Sequence, residues 1–79
     1  MPMYYFHLCN DEVIMDDQGQ ELPDWEAAQA VAQANAREMA CAEVMAGSLN
    51  LTHRIDVAGE TGDVLSTIRF GDIVTVHVS

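Results

Sequence analysis

Apolar and polar positions divide the chain into blocks of different period. Residues 3–9, MYYFHLC, are aromatic and apolar without a break, the composition of a central strand covered on both faces. Asn10 and Asp11 tolerate positive φ and suit a two-residue hairpin turn, so residues 12–15 are expected to run back as a short second strand. Gly19 and Pro23 punctuate the stretch DDQGQELPD, and Asp24 stands where a side chain can accept hydrogen bonds from the first amides of a helix. Glu26 adds favourable charge beside the positive end of that helix. Residues 25–46 are alanine-rich and hold neither glycine nor proline, so helix propensity is high until Gly47 offers the left-handed residue that ends it.

At about 100° per residue, Ala27, Ala28, Val31, Met39, Ala42, Met45 and Ala46 fall on one side of this helix. Glu26, Gln29, Gln33, Arg37 and Ala40 fall opposite. The buried side is built from small residues, which lets the axis lie close over a sheet whose large side chains, Tyr4, Phe6 and Leu8 or their alternates, fill the gap. A helix of about 22 residues is roughly 33 Å long, against roughly 20–24 Å for a six- or seven-residue strand, so it must overhang the sheet or cross it diagonally. Beyond it, residues 53–57 and 64–70 read as two strands around a Gly59–Gly62 turn. Residues 73–78 alternate again and leave a fifth strand open. The expected class is α+β: two layers, a mainly antiparallel sheet of four or five strands, and one long helix on one face in the order ββαββ.

A chain of 79 residues buries only roughly 60–65% of its unfolded surface, so one domain spanning residues 1–79 is expected. Thirteen acidic residues against three arginines and no lysine give a formal charge of −10, which opposes nucleic acid and anionic membranes as partners. No apolar stretch approaches the roughly 20 residues of a membrane span. The first nine residues lack the basic stretch of a signal peptide, and a cytoplasmic location is expected. Cys9 and Cys41 fall inside elements and are expected as reduced thiols serving as small apolar side chains.

Charge also singles out Arg54 and Arg69. In the third strand Ile55 and Val57 share one face and Arg54 and Asp56 the other, and in the fourth Ile68 faces away from Arg69. Arg54, Asp56, Thr67 and Arg69 are therefore expected in a cross-strand polar ladder worth about 0.2–1 kcal/mol per pair. One helix covers only one face of a sheet, and strand one presents Met3, Tyr5, His7 and Cys9 opposite Tyr4, Phe6 and Leu8, so aromatic surface remains uncovered whichever set faces the helix. Tyr5, His7, Arg54 and Arg69 are the candidate interaction residues.

Chemistry beyond recognition finds little support in the spacing. His7, His53 and His77 with Cys9 are ligand types that suit zinc, but no tight paired spacing joins them. Asp11, Glu12, Asp16, Asp17, Glu21 and Asp24 put six carboxylates within 14 residues, yet without the spacing of a calcium loop, and they read as a solvated, edge-protecting surface. The chain has no G-x-S-x-G, no phosphate-cradling glycine loop and no dinucleotide fingerprint, so no enzyme, metal or cofactor is expected.

The start MPMYYFH, the segment D17-x-G19-x-E21-L22-P23-D24, the alanine-rich helix, R54-I55-D56-V57, and G62-x-V64-L65-x-T67-I68-x-F70-x-D72 together resemble a family of short alphaproteobacterial proteins classed as a domain of unknown function. The resemblance covers nearly the whole chain. It implies a compact two-layer domain with Phe6, Leu22, Pro23, Asp24, Ile55, Leu65 and Phe70 in core and cap roles. Met3 stands where such proteins often have a basic residue, and Gly71-Asp72-Ile73 where a short helical turn often follows, which leaves the last segment open between strand and turn. The favoured reading is a small interaction module forming a homodimer through the open sheet face or a strand edge. The alternative is an antitoxin-like or inhibitor protein binding a basic protein partner, by fold analogy and charge.

Overall fold

The computed structural model of the chain describes residues 2–78. Its elements are β1 (Met3–Cys9), β2 (Val13–Ile14), β3 (Gln20–Glu21), α1 (Trp25–Met45), β4 (Arg54–Ala58), β5 (Val64–Arg69) and α2 (Phe70–Ile73). All the pairings are antiparallel: the sheet runs β2-β1-β4-β5, and β3 also pairs with β1. The chain is the expected α+β domain, with β1 in the interior of the sheet.

The fifth strand lies elsewhere than expected. It is Gln20–Glu21, opposite Met3 and Tyr4, whereas Phe70–Ile73 form one helical turn and residues 74–78 adopt no regular structure. The Asp72 carboxylate accepts from the Arg69 amide at 3.1 Å, which starts that turn and ends β5 one residue before Phe70. Successive residues of a strand turn their backbone groups to alternate edges. The Phe6 amide faces Asp16 and the Pro2 carbonyl accepts from Leu22, so β2 and β3 lie along the same edge of β1 as one strand interrupted by residues 15–19.

The β1–β2 connection is also longer than the two residues expected. Cys9 pairs with Val13, leaving Asn10–Glu12 as the loop; it closes through the Asn10 side chain, which accepts from the Glu12 amide at 2.9 Å, and neither Asn10 nor Asp11 takes positive φ.

Helix α1 begins as expected: Asp24 Oδ1 accepts from the Ala27 amide at 2.8 Å. It ends before Gly47, whose φ is +105°. Its contact stripe is Ala28, Ala32, Ala36 and Ala40, all buried, flanked by Ala27, Val31 and Met39. Ala40 is thus a core residue rather than a solvent-facing one, and Ala42, Met45 and Ala46 are exposed, Met45 at 84%. A row of every fourth residue drifts about 40° per step around the helix, so the stripe slants across its surface.

Against the alanines pack Tyr4, Ile55, Val57, Ile68 and Phe70, with Leu22 and the half-buried Phe6 and Leu8. Tyr4 and Trp25 meet with ring centroids 6.0 Å apart. Leu65 is not a core residue: it is 52% exposed, because the register shifts at Val57/Ala58, where β5 carries one residue more than β4. Among the described residues no helix is long and apolar enough to cross a membrane.

Candidate functional site

The face of the sheet away from α1 is ordered in three cross-strand rows, each fixed by register. Cys9, Arg54 and Arg69 form the first, His7, Asp56 and Thr67 the second, and Tyr5, Ala58 and Val64 the third. All four candidate interaction residues therefore lie on one face, the arginines in one end row and Tyr5 and His7 in the other two.

Asp56 is the hub of the arginine end. Its Oδ1 accepts from the Thr67 hydroxyl at 2.9 Å and from Arg54 Nε at 3.2 Å, and its Oδ2 from the Cys9 thiol at 3.4 Å. Burial alone would raise the Asp56 carboxyl, but the Thr67, Cys9 and Arg54 hydrogen bonds outweigh it and hold the pKa below its ordinary value. The same contact works the other way on Cys9, whose pKa is raised by burial and by the neighbouring carboxylate. Cys9 is a buried, protonated donor, while the second free thiol, Cys41, is exposed on α1 rather than used as apolar filling. The expected ladder is present but uneven. Arg54 and Arg69 are direct cross-strand partners, and Asp56 pairs only with Arg54; among the described residues Arg69 joins no ion pair.

At the other end, Tyr5, His7, Met15, Asp16, Ala58 and the Gly59–Gly62 turn line a shallow depression of about 320 Å³. Its rim is set by Asp16, which replaces the missing stretch of edge strand with its own side chain. Asp16 Oδ2 accepts from the Phe6 amide at 3.1 Å, and its Oδ1 accepts from the Gln18 and Gly19 amides, each at 3.1 Å. Burial pushes this carboxyl up, and the three amides, helped by His7, bring it below its usual value. The Asp16 amide in turn donates to His7 Nδ1 at 3.0 Å, which leaves the ring proton of neutral His7 on Nε2. Gly19, at φ +72°, lies against Tyr5, and a Cβ there would sit 2.7 Å from Tyr5 Cε1.

A second polar cluster lies where the α1 C-terminus meets the start of β4. His53 Nδ1 contacts Glu43 Oε2, its Nε2 lies 3.6 Å from Asp11 Oδ1, and its ring meets Phe70 edge-on with centroids 6.0 Å apart. Glu43 Oε1 accepts from the Asn50 amide at 2.9 Å, so this carboxylate ties the end of the helix to the loop entering β4. The Glu43 hydrogen bond raises the His53 pKa, and burial only partly opposes it. The histidines do not gather: His7 is on β1, His53 is held by Glu43, and His77 lies in the segment after α2. The six clustered carboxylates also disperse, with Asp16 at the β1 edge, Asp24 at the helix cap and Asp11 beside His53. Among the described residues no group of three or more His, Cys, Asp or Glu is placed to hold a metal ion.

The roles of two residues escaped the sequence reading, which had Asp16 only among the edge-protecting acids. Asp16 had a local signal, since an aspartate three residues before a glycine favours a turn closed by its side chain, but its partners Phe6 and His7 lie on another strand. Glu43 had none, being one acid among several on a helix. The model of a family described as a domain of unknown function (DUF6894) matches residues 3–71. No curated protein and no solved structure matches the chain.

Proposed function

The chain belongs to the DUF6894 family, whose description assigns no activity, and from the geometry we propose that it is a non-enzymatic interaction module that self-associates through the uncovered face of its sheet. The observation that carries this reading is that face itself: Tyr5, His7, Arg54 and Arg69 stand in adjoining rows, and among the described residues no helix covers them, only the 15–19 loop lying against Tyr5 and His7. The sheet edges are poorer candidates. The β2–β3 edge is broken into two two-residue strands, and β5 carries a register shift at one end and an Asp72-capped amide at the other. Catalysis is disfavoured because Asp16 and Asp56 are occupied by structural hydrogen bonds and Cys9 is a buried thiol. A reducing cytoplasm, in an alphaproteobacterial setting, belongs to the same proposal and is supported by the two free cysteines and the paired end motifs.

A second reading is favoured by the exposed acids along the interrupted edge, Asp11, Glu12, Asp17 and Glu21, which suit a basic protein partner. Sedimentation equilibrium at micromolar concentration separates the two. Contact through the sheet face gives a dimer that persists or tightens as salt rises, since salt screens the repulsion between two chains of −10 each. Arg69→Glu, at an exposed position, should then weaken it without unfolding the chain. A monomer at both low and high salt rejects self-association and favours the basic partner.

A further inference from the structure

We propose that Asp16 and His7 form a proton-released clasp that fixes residues 15–19 over the interior strand, so that protonation of His7 opens this loop and bares the Tyr5 ring. The clasp is reciprocal. The Asp16 carboxylate takes the Phe6 amide, for which the interrupted edge strand supplies no carbonyl, while the Asp16 amide donates to His7 Nδ1. An N–H can donate only to an unprotonated ring nitrogen, so the closed loop requires neutral His7 with its proton on Nε2. Protonation makes Nδ1 a donor facing another donor, so this part-buried hydrogen bond is lost.

The acids around the ring are Asp16 on the loop, Asp56 at the paired position on β4, and Glu60 on the turn that lines the same depression, where its Oε1 accepts from the Met3 amide at 3.0 Å. Among the described residues the cations of the adjoining row are Arg54, which is tied to Asp56, and Arg69. A proton on Nδ1 and the closed loop exclude each other, and the loop is the element that yields. It is held to β1 by the Asp16–Phe6 and Asp16–His7 bonds and the Gly19–Tyr5 contact, none of which involves β4, β5 or α1.

This deepens the reading of the open face as a contact surface, but the clasp is tested without any partner. Nitrogen-15 NMR of dilute monomer reports the His7 tautomer, and amide exchange reports the protection of Phe6, Gln18 and Gly19 from pH 8 to 5. The expected result is the Nε2–H tautomer, with protection factors that are level above the His7 titration midpoint and fall about tenfold per pH unit below it. His7→Asn, whose side-chain oxygen can accept where Nδ1 does, should hold the loop closed across the range, and His7→Phe should leave it open throughout. Unchanged protection of Ile55 and Val57 amides checks that both variants are folded. An Nδ1–H tautomer, protection that ignores the His7 titration, or an unaltered pH profile in His7→Asn would each overturn the clasp. Sedimentation at pH 7.5 and 5.5 then tests its output: association that follows loop opening in the wild type but not in His7→Asn supports both readings, an equal dimer at both pH values overturns the loop's control of the contact, and loop opening with a monomer at both supports the clasp and overturns the contact surface.

Discussion

Replacing Asp56 by alanine tests how the open face is held together. The carboxylate is a single acceptor for two strands, with its side chain 16% exposed, and its loss removes three contacts at once. The Thr67 bond to a charged acceptor is worth about 1.5 kcal/mol, at the low end of the range for such bonds because Thr67 is only partly buried. The Arg54 guanidinium is 42% exposed, so its ion pair is discounted to about 0.2–1 kcal/mol. Losing the carboxylate also leaves Arg54 directly opposite Arg69 without compensation, costing about 0.2–1 kcal/mol more. Asp56→Ala should therefore destabilise by about 2–4 kcal/mol, lowering Tm by on the order of 10–20 °C for a domain of this size. Urea melts with an unchanged slope give the comparison. Arg69→Ala should be neutral or stabilising by up to about 1 kcal/mol, with the larger gain in the Asp56→Ala background. A cost below about 0.5 kcal/mol for Asp56→Ala, or a clear loss for Arg69→Ala in both backgrounds, would refute the account of Asp56 as the hub.

Two further outcomes follow from the helix and its far end. Asp24→Ala should cost about 0.5–2 kcal/mol in denaturant melts while Gln33→Ala, on the exposed side of α1, stays near zero; equal midpoints would remove the cap. His53 has a folded pKa raised above 6.5 by the Glu43 hydrogen bond, so its contribution is fully present below pH 6.5 and lost as pH rises through the folded value. Glu43, held below its ordinary 4.5 against burial by the Asn50 amide and His53, contributes above pH 4.5 and fails as pH falls through its folded value. The pair is complete between these limits, and Glu43→Gln should flatten the decline in stability between pH 6 and 9; an identical slope would show that another group sets it.

What could be read in advance divides by the range of the interaction. Asp24 and Gly47 obey rules spanning three or four residues, and both ends of α1 fell where those rules put them. The inward face of α1 did not, because alanine is too weakly apolar to mark a side: Ala28 and Ala40 are chemically identical to the exposed Ala42 and Ala46, and only the sheet distinguishes them. A two-residue strand such as Gln20–Glu21 has no period to detect and exists because Met3 and Tyr4 lie beside it. The rows of the open face were half legible: alternation paired Arg54 with Asp56 and set Arg69 apart from Ile68, but which residue stands opposite which depends on a register no single strand encodes.

The interior position of β1 also governs the order in which the protein can be made. Residues 3–9 leave the ribosome well before their main partner, β4, which lies beyond the whole of α1, with His7 opposite Asp56. At about 5–20 residues per second, the nascent strand waits several seconds with an aromatic, apolar edge unpaired. Only β2, β3 and the helix are then at hand, and two short strands and a thin alanine stripe bury little. The first half of the chain therefore has no stable fold of its own, and assembly is held until residue 58 has cleared the exit tunnel. A cut in the 46–52 loop would separate β1 from β4 and yield two fragments, each unfolded alone and ordered only when mixed.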